Sequence, residues 1–137
     1  MNLVLVDSLN GIGPHLFTFF LSVLILGFFV WIFIKVTPYR EISLIKQGNT
    51  AAAISLGGCV LGFSIPLAKA VAQSTGLLDM LIWSGIALFS QLIAYGLTRF
   101  LFKNLTQDVN TNQPASAIFL FAASIAIGLL NAAGMTL

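Results

Sequence analysis

Residues 15 to 34 read HLFTFFLSVLILGFFVWIFI, an unbroken apolar run with no Asp, Glu, Lys or Arg inside it. At 1.5 Å rise per residue, about 20 such residues cross the hydrocarbon core of a bilayer as a helix that satisfies its own backbone. Three further stretches share this character: Thr50 to about Val71, about Asp79 to Leu101, and about Pro114 to Leu137, with charges gathered mostly at their borders. These runs predict an all-α, integral membrane protein of four helices. Composition leaves no room for a water-soluble alternative. Of 137 residues, 58% are hydrophobic and 7% charged, against about 25% charged in ordinary soluble domains, so the polar cover of a soluble surface is missing. One membrane domain over residues 1–137 is the economical reading.

The tail before His15 carries Asp7 and no Lys or Arg, unlike the basic n-region of a cleaved signal peptide, so the first helix is expected to be retained. Basic residues stay on the cytoplasmic side of a span. Lys35, Arg40 and Lys46 lie between helices one and two, Arg99 and Lys103 between helices three and four, and Lys69 alone on the opposite side with Asp7 and Asp79. Five against one predicts both termini outside, which in a bacterium is the periplasm. Trp31 and Trp83 fall near opposite membrane faces, as interfacial anchors do. The scattered charges form no basic run, and no nucleic-acid partner is expected. Cys59 is the single cysteine, so an intramolecular disulfide and a cysteine metal cluster are excluded.

The first cytoplasmic loop, TPYREISLIKQGNT, places Thr37 and Pro38 where an N-cap and first helical residue belong and Gly48 where a helix stops. A short amphipathic helix along the inner membrane surface is one expectation, with Ile42 and Ile45 on one face and Arg40, Glu41 and Lys46 reaching water; a partly ordered loop is the other. Shifting the sequence by 64 positions lays AAAISL (51 to 56) on ASAIFL (115 to 120), Lys35 on Arg99 and Trp31 on Tyr95. We read this as a duplication, residues 15–71 and 79–137, whose two-span units enter the membrane in the same orientation as parallel repeats.

The second helix gives up bulky side chains where lipid would tolerate them. Helix association in lipid depends on close van der Waals packing, which small residues permit. Gly58 and Gly62 form a GxxxG pair that Ser55 and Pro66 extend at helical spacing, and Ser124, Gly128 and Ala132 repeat the device in helix four. These seven are the predicted helix-packing residues; whether their faces meet within one chain or between chains is open. Helix one, rich in Phe17, Phe19, Phe20, Phe28, Phe29 and Phe33, is expected to be partly lipid-facing. Pro66 has no N–H for the Gly62 carbonyl, so a kink near Gly62 is expected, either shaping packing or lining a hydrated path.

Helix three carries Ser84, Gln91 and Thr98 at spacings of seven. An amide at the depth of Gln91 calls for an interhelical partner, worth about 1 kcal/mol; a permeation role is the sharper alternative, and Asn131 invites the same weighing. Lys69 is read as snorkelling to the headgroups and His15 as a polar boundary residue. No carboxylate lies in the middle of a span, so a proton-coupled pump has no visible carrier. No metal-ligand spacing, phosphate loop or nucleophile and base pair is found; neither catalysis nor a cofactor is expected.

The stretch TPYREISLIKQGNTAAAISLGGCVLGFSIPLAKAV, followed by IWSGIALFSQLIAYGLTR, resembles the YjfL family of small bacterial inner-membrane proteins, whose function is unknown. The most specific parts are the Thr37-Pro38 loop start, NTAA, GFSIPL around Pro66, GIAL with Gln91, and the NAAGMT tail. The resemblance implies four spans, often described as two duplicated two-helix units, in the inner membrane of a Gram-negative bacterium, and supplies no catalytic residues. The function expected first is that of an assembly or accessory component of the envelope, in contact with membrane lipid and forming a homo-oligomer or a complex with another membrane protein through the small-residue faces. The rival is a small channel or facilitator with Ser64, Gln91 and Asn131 along a polar path.

Overall fold

The computed structural model describes residues 2–73 and 76–135. Among them six helices follow one another: α1 (Asn2–Val36), α2 (Glu41–Lys46), α3 (Thr50–Gln73), α4 (Leu77–Leu101), α5 (Leu105–Asn110) and α6 (Pro114–Gly134). Four of them, α1, α3, α4 and α6, are long and apolar enough to cross a membrane. The NAAGMT tail and the fourth predicted span run past residue 135, so their last two residues lie outside the described ones.

Helix α3 is the hub. It packs most extensively on α6, α4 closes against both, and α1 leans on α3 while barely touching α4. Small residues explain the order, because Ala51, Ala52, Ser55, Gly58, Cys59, Gly62 and Ala70 are all buried along α3 and let neighbouring backbones approach. Helix α1 has only Phe29 and Phe33 buried. Phe29 stacks on Phe63 of α3 with ring centroids 4.1 Å apart, and Phe33 meets Tyr95 of α4 edge to face at 5.6 Å. Phe17, Phe19, Phe20 and Phe28 are exposed. The two phenylalanines toward the C-terminal end therefore anchor the helix, and the other four coat it.

α3 runs through Pro66 as one helix, as the single span from Thr50 predicts. Two expectations about helix limits change. The helix that crosses at His15 begins at Asn2 and passes through Pro14, because a charge-free window marks what hydrocarbon accepts and not where the backbone ladder ends. α2 starts at Glu41, with no side-chain cap from Arg40, since Thr37 still belongs to the end of α1: its N–H bonds the Phe33 carbonyl at 3.0 Å. Gly48 does stop α2, with φ of +87°, and the Gly48 and Asn49 amides bond back to Ile45 and Leu44, both at 2.9 Å.

Helix α5 was not anticipated. It begins 64 residues after α2, and Asn112, the non-glycine residue with positive φ among the described ones, lies 64 residues after Gly48. Leu105 and Val109 of α5 are fully buried one turn apart, so this loop folds back under the bundle. The two loops are tied together there: Asn49 Nδ2 donates to the Val109 carbonyl at 2.7 Å and Ala51 N–H donates to Asn112 Oδ1 at 3.0 Å.

Candidate functional site

Most of the predicted packing residues converge where α3, α4 and α6 meet. A Cβ built on Gly58 would lie 2.5 Å from the Phe121 Cα; one on Gly62 would fall on the Ser124 carbonyl, and one on Gly128 on the Gly62 carbonyl. These backbones are in direct contact. The Gly62 carbonyl, which Pro66 leaves without its helical donor, thus points at the Gly128 Cα, and the Ser124 carbonyl points at the Gly62 Cα, a reciprocal arrangement suited to Cα–H···O bonds. Gln91 of α4, fully buried, donates from Nε2 to the Ser124 carbonyl at 3.1 Å, and Cys59 Sγ lies 3.4 Å from Ser124 Oγ. Pro66 is buried on the same side of α3, and Ala132 is half-buried near the C-terminal end of α6.

Of the two arrangements left open for the small-residue faces, the one within a chain is the one seen: Gly58, Gly62 and Gly128 are covered inside a single chain, with no space for even one methyl group. This geometry also divides the expected polar path. Ser64 bonds its own helix at the Leu61 carbonyl, 2.7 Å away, and lines a groove against α1 with Ser22 and Leu26. Two residues past Gly62 it is turned about 200° from the Gln91 contact. Asn131 lies two turns beyond Ser124 on the same face of α6; its Nδ2 and Gln91 Oε1 are both buried and find no partner among the described residues.

A second polar cluster lies at the opposite end of α3, formed by the 37–49 segment. Tyr39 is buried and its hydroxyl shares a 2.7 Å hydrogen bond with Ser55 Oγ; burial, partly offset by that bond, pushes its phenol above the ordinary range. Ser55 therefore serves this loop. Glu41, expected in water, is fully buried: Thr37 Oγ1 donates to its Oε1, and burial raises its carboxyl to about 7. The reason is local. Pro38 ends α1, Tyr39 turns in to reach Ser55, and Glu41 is carried in behind it. Asn49 was also missed as a capping residue; its Oδ1 accepts the Ala52 N–H at 2.9 Å, an N-cap bond that an Asn directly before a helix start signals. Among the described residues no three His, Cys, Asp or Glu come together as metal ligands.

Outward from the core, Ser84 lines an apolar groove of about 300 Å³ between α1, α3 and α4 with Phe28, Phe29, Phe63 and Leu88. At the far end of α3, the Gln73 amide, oriented to satisfy both neighbours, donates to the Met135 carbonyl at 2.9 Å and accepts from Lys69 Nζ at 3.2 Å.

Four apolar helices crossing around a close-packed seam define a multi-pass helical membrane protein. Residues 7–135 match the family described as Domain of Unknown Function (DUF350), and the chain belongs to that family. It is 35% identical over 132 residues to the UPF0719 inner membrane protein YjfL of Escherichia coli strain K12, covering 96% of this chain and 98% of that one. It is 31% identical over 117 residues to the UPF0719 transmembrane protein YshE of Bacillus subtilis strain 168, covering 83% and 87%. No solved structure matches. Helices and relatives together make it a multi-pass inner-membrane protein of an uncharacterised family.

Proposed function

We propose that the protein is a non-catalytic assembly component of the inner membrane, with both termini periplasmic, and that it joins further copies of itself through the outer half of α1. The observation that carries this reading is the length and exposure of that helix. Thirty-five residues make a rod of about 52 Å, against a hydrocarbon core of about 30 Å; even a steep tilt of about 40° leaves it about 40 Å tall. With residues 15 to 34 in lipid, Leu3, Val4, Leu5, Val6 and Leu9 project past it, all exposed. Apolar side chains outside hydrocarbon call for cover, and the small-residue seam is not free to provide it.

Cysteine placement tests the idea cleanly, because the native Cys59 is fully buried. Leu5→Cys or Phe20→Cys, oxidised in native membranes, is expected to give cross-linked copies. Cross-links to a different membrane protein would move the contact to a hetero-complex, and monomers from both variants would remove assembly through α1. The channel reading retains one observation, the unpartnered buried Gln91 Oε1 and Asn131 Nδ2. Within one chain the Gly62 and Gly128 contact closes that axis, so a path would run between copies; Gln91→Leu should then change flux while leaving assembly intact, and unchanged flux would take Gln91 out of any path.

A further inference from the structure

Glu41 is the one glutamate in the chain, and its surroundings are unusual for a carboxyl. Its residue is fully buried, Oε1 accepts from Thr37, and Oε2 is enclosed with no hydrogen-bond partner. Leaving an ionised oxygen in that position is strongly unfavourable, whereas a protonated Oε2 is neutral. Against burial, the groups that favour the charged form are the Thr37 hydroxyl and Glu41's own backbone N–H, and neither carries a charge. Tyr39 on its own segment, Cys59 on α3 and Tyr95 on α4 are uncharged neighbours. Arg40 is exposed, and Arg99 lies next to Tyr95, one turn further along α4.

Packing does not demand a carboxyl there. Leu105, 64 residues on, opens α5 as Glu41 opens α2, and it too is fully buried. The first position of the other short loop helix is thus a buried plain hydrocarbon. A cavity of about 280 Å³ adjoins Glu41, lined by Thr37, Pro38, Tyr39, Arg40 and Ser43, with room for water to deliver and remove a proton.

We propose that Glu41 is a proton-binding site, loaded and emptied through this cavity, whose occupancy sets how the 37–49 segment sits against α3. In the loaded form the neutral acid stays enclosed and Tyr39 remains bonded to Ser55. When the O–H bond breaks, the proton passes to water and the electron pair stays on Oε2, which then needs a donor or solvent, so the segment loosens from α3. The position of the group at the loop, outside every span, is why a scan of the spans for a carboxylate passes over it.

Because the chain has a single glutamate, protein labelled with carboxyl-¹³C glutamate reports Glu41 alone. The experiment is a pH titration of the full chain in lipid nanodiscs, following that carboxyl and the backbone amides of residues 42 to 48 together. The expected carboxyl midpoint is near neutral pH, about two to three units above an ordinary glutamate, with the amides shifting at the same midpoint and losing that shift in Glu41→Gln. A midpoint below about 5 would overturn the proton site. A neutral midpoint with motionless amides would overturn its coupling to the segment. Glu41→Leu, which copies Leu105, checks that the fold survives without the carboxyl.

Discussion

Replacing Gly62 by alanine adds one methyl group at the point where three helices touch. The new Cβ would fall on the Ser124 carbonyl, 2.7 Å from its carbon, and 2.8 Å from Gln91 Oε1. Carbon atoms settle at about 3.5–4.0 Å, and because the obstacle is backbone, α6 must retreat by about 1 Å. Overpacking of this kind destabilises by about 1–3 kcal/mol. The same retreat stretches the Gln91 to Ser124 bond, now 3.1 Å, whose loss adds about 1 kcal/mol. Against this stands the helix preference of alanine over glycine, about 1 kcal/mol. Gly57→Ala isolates that last contribution, since a Cβ there meets nothing within 4 Å. Measured by reversible unfolding in mixed SDS micelles, Gly62→Ala should be about 2–4 kcal/mol less stable than Gly57→Ala. Two variants of equal stability would refute the claim that α3 and α6 meet backbone to backbone within one chain.

Other substitutions follow the same logic. Gln91→Leu keeps the volume and loses the interhelical bond, so unfolding free energy should fall by about 1 kcal/mol. Asn49→Ala removes the α3 cap and the tie to Val109, for a loss of about 1–2 kcal/mol, with faster proteolysis of the 102–113 loop as the local readout. Phe29→Ala unseats α1 from Phe63; spin labels on α1 and α4 should show a broadened distance distribution, while the α3 to α6 distance keeps its width. With Glu41 raised to about 7 in the fold from an ordinary value near 4.3, the folded state holds the proton more tightly than the unfolded one. Its contribution to stability is full below about pH 4 and declines as pH rises through 7, by at most about 1.4 kcal/mol per unit. Glu41→Gln should flatten that slope.

The spans were legible because hydrophobic length is a one-dimensional property, carried by residues such as those from His15 to Ile34. Contact partners are not one-dimensional. Gly58 and Gly62 announce a close approach, but a glycine face reads alike whether a neighbouring helix or a second chain covers it. The separation of Ser64 from Gln91 was available from helical angle alone, as two residues past Gly62 cannot share its face. Helix α5 left a faint mark, Leu105 and Val109 one turn apart amid polar neighbours. Glu41 left none: a charged residue in a short loop helix belongs in water by default, and only Tyr39 reaching Ser55 carries it inside.

The mass of the protein extracted with its native lipid would weigh the assembly proposal in one step. Further copies of the chain in a defined stoichiometry, lost when Leu5 and Leu9 are both changed to serine, is the expected result. A single chain carrying only lipid would contradict it, and would leave the projecting end of α1 as a membrane-surface segment.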